Sequence, residues 1–223
     1  MIDLGYFDRA GALIDETMPL SPKPTIFTQM RASMLILEGD HAGATATARV
    51  VLDYVPNVPW ALSILRDQYI KEHKHDKALE LYERSYARLL DESFEAVDVR
   101  SSWDLSAAID LSVVLLETEH TEHAAKLLAA ALDTADRLQR LRFGPPRIDL
   151  ARIHALRGDT DAALNALQRA VDAGWRAGWQ LQLYHDAALD SLRDLPEFQA
   201  IVAQVEADIE RQRRELEARY GID

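Results

Sequence analysis

The sequence contains no cysteine, and this absence excludes disulfide bonds, thiolate metal sites and a cysteine nucleophile. Long apolar runs are also missing: no stretch approaches about 18 consecutive apolar residues, so no membrane-spanning helix is predicted. Residues 1–4 lack the basic region and the apolar run of a signal peptide. We therefore expect a cytoplasmic protein, with a periplasmic location as the alternative if a longer chain supplies an upstream membrane span.

Positive charge is scarce as well. The 25 Lys and Arg residues are outnumbered by 37 Asp and Glu residues, which gives a formal net charge of −12. Because nucleic-acid binding needs basic side chains that displace counterions, direct binding of DNA or RNA is not expected. Glycine and proline are few, at nine and eight, and helix-forming Leu, Ala, Glu and Arg are abundant, so most of the chain can be regular.

The N-terminal part of the sequence repeats at a spacing of 34 residues. The landmarks are a glycine for a tight turn, a small residue for a helix crossing and a proline that ends a helix. They occur at Gly5, Ala10 and Pro22 and return at Gly39, Ala44 and Pro56, and Ala78 follows Ala44 by the same distance. Asp40, directly after the second turn glycine, is predicted to cap the next helix.

The stretch 144–177 carries the fullest version of this pattern. Its landmarks are Leu150, Ala151, His154, Gly158, Asp159, Ala163, Leu167 and Ala170. The pattern resembles the tetratricopeptide repeat, whose units of about 34 residues fold as two antiparallel helices. The resemblance implies an all-α fold: a right-handed α-solenoid of helix-turn-helix repeats with a C-terminal capping helix, in which each unit packs on its neighbours.

The repeat register divides the chain into an array at 1–177 and a closing segment with a capping helix at 178–223. The array consists of a half repeat at 1–24, repeats at 25–58, 59–92, 105–143 and 144–177, and an insertion at 93–104. The half repeat would leave one apolar flank uncovered, which indicates a chain cut from a longer protein; a natural capping helix is the alternative. The insertion either lengthens the preceding helix or forms an acidic loop. The next helix, predicted at 105–118, is apolar nearly all round and should be the most buried.

The closing segment resembles the end of the repeat region in many bacterial multidomain regulators, where such arrays follow winged-helix, cyclase or kinase domains. The resemblance rests on the residues from Leu183 to Gln199, with Ala187 and Glu197 in place of the usual proline and arginine. The final helix, predicted at 196–220, has apolar residues at coiled-coil-like spacing. We interpret its charged second half, 210–215, as a solvated helix end, with a homodimer seam as the alternative.

The repeat resemblance also implies a concave surface, lined by fixed positions of each first helix. On this chain the candidate partner-binding residues are Ile26, Gln29, Ser33, Ile36, Trp60, Ser63, Asp67, Ile70, Ile109, Val113, Leu116, Ile148 and Arg152. The set is mostly apolar, with Trp60 as the best anchor. We therefore expect a partner protein or peptide with an apolar or amphipathic segment. The alternative is that the chain's own residues 93–104, or its final helix, fill the groove.

No catalytic residue, metal site or cofactor is predicted. Two histidine pairs, His73 with His75 and His120 with His123, lie in equivalent turns, but they supply no matched set of zinc ligands. The paired carboxylates are explained by solvated helix faces, and no nucleophile or phosphate-binding motif occurs.

The expected function is a non-catalytic protein–protein interaction scaffold, the sensory or regulatory region of a larger bacterial signalling or transcription regulator. Two alternatives are open: a regulatory region attached to a catalytic cyclase or kinase domain, and a free-standing scaffold for envelope assembly.

Overall fold

The structure is a computed structural model that describes residues 1–20, 26–91, 101–140 and 146–221. Within these ranges every regular element is an α-helix or a short 3₁₀ turn, and no strand occurs. The predicted all-α class is therefore confirmed. In the same ranges, none of the helices combines the length and the hydropathy needed to cross a bilayer.

The helices follow one another with short connections. They are α1 (Phe7–Thr17), α2 (Ile26–Leu37), α3 (His41–Tyr54), α4 (Pro59–Lys71), α5 (His75–Tyr86), α6 (Ser102–Glu117), α7 (Thr121–Arg140), α8 (Asp149–Leu156), α9 (Thr160–Asp172), α10 (Trp179–His185) and α11 (Pro196–Tyr220). Short 3₁₀ turns occur at Ile2–Leu4, Met18–Leu20, Ala87–Leu89 and Ala187–Leu192.

Helices that are neighbours in the chain pack against each other from α1 to α9. Contacts also join α4 to α6 and α6 to α8, which are the first helices of successive hairpins. Helices α4, α6 and α8 therefore form one row, which we call the inner row, and α5 and α7 pack on its members.

The turns inside four hairpins share one backbone geometry. Gly39, His73, Glu119 and Gly158 all have positive φ, between 55° and 83°. In each turn the amide of the following residue donates to the carbonyl oxygen five residues earlier, at 2.8–2.9 Å. This is a helix C-terminal motif that favours glycine, so its recurrence at two non-glycine positions shows that the hairpin context holds the backbone there.

The first of these turns also illustrates how a cap is built from small residues. The Asp40 carboxylate accepts a hydrogen bond from the amide of Gly43 at 2.8 Å, as predicted for this cap. A Cβ atom at Gly43 would lie 2.4 Å from a carboxylate oxygen of Asp40. Gly43 therefore leaves room for the cap, in a helix whose centre is otherwise rich in alanine.

The insertion between the second and third repeats does not lengthen the helix before it. Helix α5 ends at Tyr86 and a 3₁₀ turn, Ala87–Leu89, follows. The alternative of an acidic loop falls mostly on residues 92–100, which lie outside the described residues. Helix α6 begins where Ser101 Oγ accepts a hydrogen bond from the amide of Asp104 at 3.1 Å, three residues before the predicted start.

Helix α6 is the centre of the largest apolar cluster. Eleven of its sixteen residues are buried, more than in any other helix among the described residues, which confirms the prediction for this helix. A second large cluster joins α8, α9, α10 and α11, whereas α1 and α2 share a small one. The core is thus distributed along the row of hairpins.

The C-terminal closing segment returns across the inner row. Helix α10 packs on α2, and the 3₁₀ turn Ala187–Leu192 packs on α6 and α8. Helix α11 occupies the predicted residues and packs on α9 and on the N-terminal 3₁₀ turn. The two ends of the array are therefore in contact.

Hydrogen bonds fix this contact between the ends. The Asp3 carboxylate accepts from the amide of Gly178, and the Asp3 carbonyl oxygen accepts from the indole nitrogen of Trp179, both at 2.9 Å. Tyr6 Oη donates to the carboxylate of Glu217 at 3.1 Å. The N-terminal turn thus binds both α10 and the charged half of α11.

Candidate functional site

The inner row and the closing segment surround two adjoining cavities. The charged cavity has a volume of about 340 Å³ and is lined by Arg66, Asp110, Arg152 and Asp186 among others. The second cavity has a volume of about 490 Å³ and is lined by α2, α4, α6, α8 and the closing segment. Ile36, Ile64, Asp67 and His185 line both cavities, so these four side chains form the wall between them.

A third space opens beside the charged cavity. We call it the Trp60 recess; its volume is about 540 Å³, and its lining includes Ile26, Trp60 and Trp103. Ile26 is 62% exposed and Trp103 is 48% exposed, so two large apolar side chains are accessible there. Arg147 and Ser106 line both the recess and the charged cavity.

Most of the predicted groove residues lie around these spaces. The charged cavity is lined by Gln29, Ser33, Ile36, Trp60, Ser63, Asp67 and Arg152. The second cavity adds Ile70, Val113 and Leu116, and the recess adds Ile26. Ile109 and Ile148 are fully buried in the apolar clusters instead, because neighbouring helices pack over them.

Among the described residues, neither predicted occupant lines the two cavities; Ser102 and Trp103 of the insertion at 93–104 line the Trp60 recess, and residues 93–100 lie outside the described residues. Residues 178–193 line the cavities, whereas the predicted alternatives were 93–104 and the final helix. Sequence reasoning missed this because the segment departs from the repeat and carries no groove pattern of its own. The closing segment narrows the groove to the cavities and leaves the Trp60 recess accessible.

An ion-pair network crosses the charged cavity. Arg66 is 1% exposed, and its Nη1 donates to the Asp110 carboxylate at 2.7 Å. Arg152 Nη2 donates to the same oxygen of Asp110, also at 2.7 Å. One carboxylate on α6 therefore joins α4 to α8, and neither guanidinium is buried without a counterion, which would be costly.

Arg152 also holds the closing segment in place. Its Nε lies 2.6 Å from Asp186 Oδ2, an ion-pair distance, and Asp186 Oδ1 accepts from the amide of Ala188 at 3.0 Å. Although burial alone would raise the pKa of Asp186, Arg152 and Arg66 hold it below its ordinary value. The negative charge of Asp186 is thus stabilised by Arg152 and Arg66.

The negative charge of Asp67 is stabilised less well by its neighbours. Its Oδ1 accepts from Arg66 at 2.8 Å, while its side chain is 32% exposed in the wall between the cavities. Burial raises the pKa of Asp67 to about 6, and Asp186 and Asp110 add to the increase, against the opposing effect of Arg66. The charged form of Asp67 is therefore stabilised less than that of Asp186.

The network carries one negative charge more than its cations balance. Its arginines are Arg66, Arg147 and Arg152, and its carboxylates are Asp67, Asp110, Asp149 and Asp186. Asp149 is paired with Arg147 at 2.5 Å, and Asp110 with two arginines. The excess charge is consequently associated with Asp67.

Sequence reasoning found Asp67 and Arg152 but missed Arg66, Asp110 and Asp186. One signal was present, since Asp110 interrupts the mostly apolar stretch 105–116. A carboxylate in a helix that is buried all round predicts a buried cation from another helix. The identity of that cation could not be read from the sequence, because Arg66 and Arg152 are 44 and 42 residues away.

The histidine pairs do not form a metal site in the structure. The rings of His73 and His75 stack edge to face with centroids 6.3 Å apart. His123 Nε2 is hydrogen-bonded to the carbonyl oxygen of Leu89 at 2.9 Å. In the part of the chain that the structure describes, no group of three or more His, Cys, Asp or Glu side chains is placed to hold a metal ion.

Comparison with protein-family models, with curated proteins and with solved structures gave no match to this chain.

Proposed function

We propose that the chain is a non-catalytic protein-binding scaffold: an α-solenoid of tetratricopeptide-like hairpins that binds an apolar or amphipathic segment of a partner protein. The observation that carries the proposal is the Trp60 recess, where Trp60, Trp103 and Ile26 line an accessible space. Aromatic side chains at the centre of such a space are the typical anchors of protein interfaces.

The recurrence of one turn geometry supports the repeat interpretation. The left-handed residues of the four hairpin turns lie 34, 46 and 39 positions apart along the chain, at 39, 73, 119 and 158. These are the same intervals that separate the crossing alanines Ala44, Ala78, Ala124 and Ala163. Each hairpin therefore keeps one internal register even where residues are inserted between hairpins.

The polar rim of the recess supports a peptide ligand over a purely apolar one. Gln29 and Ser106 line it together with Arg147, whose side chain is partly exposed beside its Asp149 partner. These groups offer both donors and acceptors to the backbone of a bound segment. An amphipathic segment would place its apolar side chains on Trp60 and Trp103 and its backbone along this rim.

The wider role follows from the resemblance of the closing segment. We propose that the scaffold acts as the regulatory region of a larger cytoplasmic signalling or transcription regulator in a bacterium. Attachment to a cyclase or kinase domain is the second candidate, because the same kind of closing segment occurs there. A homodimer seam in the second half of α11 is less favoured, since Tyr6 and the N-terminal turn pack on that half.

The decisive experiment is photocrosslinking from position 103, with position 54 as the matched control. Trp103 lies in the recess, whereas Tyr54 is more exposed, at 72% against 48%, but lies outside the residues that line it. We expect a partner that crosslinks from 103 and not from 54. The purified partner should lose more than about 1 kcal/mol of binding free energy with Trp60→Ala and none with Tyr54→Ala. Equal crosslinking from both positions, or unchanged affinity of the Trp60→Ala variant, would contradict the proposal.

A further inference from the structure

The wall between the two cavities contains the Asp67 carboxylate, which can accept further hydrogen bonds. Asp67 is contacted by Arg66 on a single oxygen, Oδ1. Among the described residues, no side chain or amide donates to Oδ2. An ionised carboxylate accepts several hydrogen bonds, and the Asp67 side chain is 32% exposed, so Oδ2 keeps acceptor sites that a ligand in the cavities can reach.

The arginines around Asp67 are already engaged, and the nearby cation Lys71 lines the second cavity one helical turn further along α4. Arg66 is shared between Asp67 and Asp110, and Arg152 is shared between Asp110 and Asp186. In the second cavity, Arg193 donates to the carbonyl oxygens of Leu183 and Asp186 and pairs with Asp190. These arginines consequently already pair with acceptors of the chain itself, and the ion-pair network keeps its excess negative charge.

The space next to Asp67 suits an organic cation on an aliphatic stem. Ile36 and Ile64 flank Asp67 in both cavities, and Ser33 and Ser63 line the charged cavity. Ser63 Oγ donates to the carbonyl oxygen of Trp60, so its lone pairs are available to accept. The volumes of about 340 and 490 Å³ exceed what one ammonium or guanidinium group with a short chain needs.

We propose that the cavity wall at Asp67 is a binding site for an organic cation, a primary ammonium or guanidinium group carried on an aliphatic stem. The cation would place its charge between Asp67 and the serine hydroxyls and its stem between the two isoleucines. The inference deepens the proposed function, and it rests on that function only if the cation is a lysine or arginine side chain of the partner. A free small molecule with the same group is the other source.

The charge of Asp67 sets the pH dependence of this site. The charged and titratable groups around Asp67 are Arg66 and Lys71 on its own helix, Asp110 on α6, and His185 and Asp186 in the closing segment. Burial lowers the pKa of His185 from its ordinary value, so His185 loses its positive charge as the pH rises and acts in the same direction as the ionisation of Asp67. Burial raises the pKa of Asp67 to about 6, so the carboxylate is ionised above that pH and neutral below it. Affinity for a permanent cation should therefore be about tenfold higher at pH 7.5 than at pH 5.

The test compares an arginine probe with its neutral isostere. N-acetyl-arginine amide and N-acetyl-citrulline amide have nearly the same shape and differ in charge, and calorimetric titration of the whole chain measures both. The protein should bind the arginine probe about tenfold more tightly, because one charge-assisted hydrogen bond to a partly buried carboxylate has about that effect. Asp67→Asn should remove the preference, and Asp53→Asn, an exposed aspartate on α3, should preserve it. Equal affinity for the two probes, or an unchanged preference with Asp67→Asn, would overturn the proposal.

Two further measurements distinguish a partner side chain from a small molecule as the source of the cation. They also test the cation site separately from the proposed protein-binding function. Butylguanidinium is compared with a seven-residue peptide that carries one arginine among leucines. Tighter binding of the peptide, reduced by Trp60→Ala, assigns the site to a partner side chain, and equal binding assigns it to a small molecule. If Trp60→Ala weakens the natural partner while Asp67→Asn leaves the arginine preference unchanged, the cation site is wrong and the proposed function stands. If Asp67→Asn removes the arginine preference while Trp60→Ala affects no partner, the cation site stands and the proposed function is wrong.

Discussion

The N-terminal hairpins and the C-terminal region are built from similar helices but are held together differently. Helices α1 and α2 share a buried cluster of only three apolar residues, Ala10, Ile14 and Met34. The C-terminal cluster joins four helices and contains Trp175, Trp179 and Phe198. Among the described residues, the exposed large apolar side chains are also unevenly distributed: Tyr184 and Tyr220 lie near the C-terminus, and the others precede α7, namely Met1, Leu13, Leu20, Ile26, Met30, Val50, Tyr54 and Trp103.

This difference separates the part of the molecule that supplies rigidity from the part that offers surface. Stability in a repeat array is the sum of local terms, so a hairpin with a small cluster opens at a lower free energy than one with a large cluster. The Trp60 recess lies on the N-terminal side, where α2 and α4 contribute Ile26 and Trp60. A partner that binds there would add apolar contacts where the chain has fewest of its own.

The largest expected effect concerns the ion pair that joins the two regions. Arg152→Ala leaves Asp110 with a single cation and Asp186 without its nearest one, and a buried charge stripped of its partner costs about 3–5 kcal/mol of stability. Urea unfolding measures this loss. The matched control is Arg157→Ala, whose partly exposed pair with Asp159 should contribute less than about 1 kcal/mol. Similar losses in the two variants would show that the buried network does not join the regions.

The next effect tests the unequal clusters directly. Phe198→Ala removes a fully buried ring from the C-terminal cluster and should cost about 3 kcal/mol or more. Met34→Ala, in the small cluster of α1 and α2, should cost about 2 kcal/mol because fewer neighbours lose contacts. Hydrogen exchange of both variants locates the change. If Met34→Ala costs as much as Phe198→Ala, the comparison between the two regions is wrong.

A smaller effect, of opposite sign, is expected at the cavity wall. The pKa of Asp67 is raised to about 6 in the folded protein from an ordinary value of 3.8, so the folded state holds a proton that the unfolded chain releases. The stabilising contribution of the protonated form is therefore present below about pH 4 and is lost as the pH rises through 6. Asp67→Asn should raise the free energy of unfolding by about 1 kcal/mol at pH 8 and hardly change it at pH 4. Asp53→Asn serves as the control, and equal effects at the two pH values would contradict the assignment.

The smallest effect concerns the contact between the two ends. Asp3→Ala removes the hydrogen bond to the amide of Gly178, which should cost about 1 kcal/mol or less. Exchange of the amides in α10 and of the Trp179 indole should become faster, while exchange in α6 stays unchanged. Glu16→Ala, an exposed carboxylate on α1, is the control. Unchanged exchange in α10 would mean that Asp3 does not hold the closing segment.

The elements that the sequence predicts best are those governed by local chemistry. Helix α11 occupies the predicted residues from Pro196 to Tyr220, because a proline at its start and a glycine after its end fix both limits. The turns at Gly39 and Gly158 were predicted from their glycines. The left-handed backbone of His73 and Glu119 was not, since neither residue favours that conformation and the packing of the hairpin must hold it there.

The features that escaped prediction depend on contacts between distant residues. The repeat pattern placed Asp67, Trp60 and Arg152 on one face, and the structure does bring them around one cavity. It gave no information on the path of residues 178–193, because that path is decided by Asp186 meeting Arg152 and by Trp179 meeting Asp3. Sequence periodicity describes how neighbouring hairpins pack, but it does not describe what returns across them.

The contact between Asp3 and α10 has a consequence for how the protein can evolve. In an open array a hairpin can be added or removed with little effect on the rest, since each unit meets only its neighbours. Here Tyr6 is also hydrogen-bonded to Glu217, 211 residues further along the chain. Adding or removing one hairpin would change the distance between these two residues and break the bond. The contact between Tyr6 and Glu217 thus makes the spacing of the two partners depend on every hairpin between them.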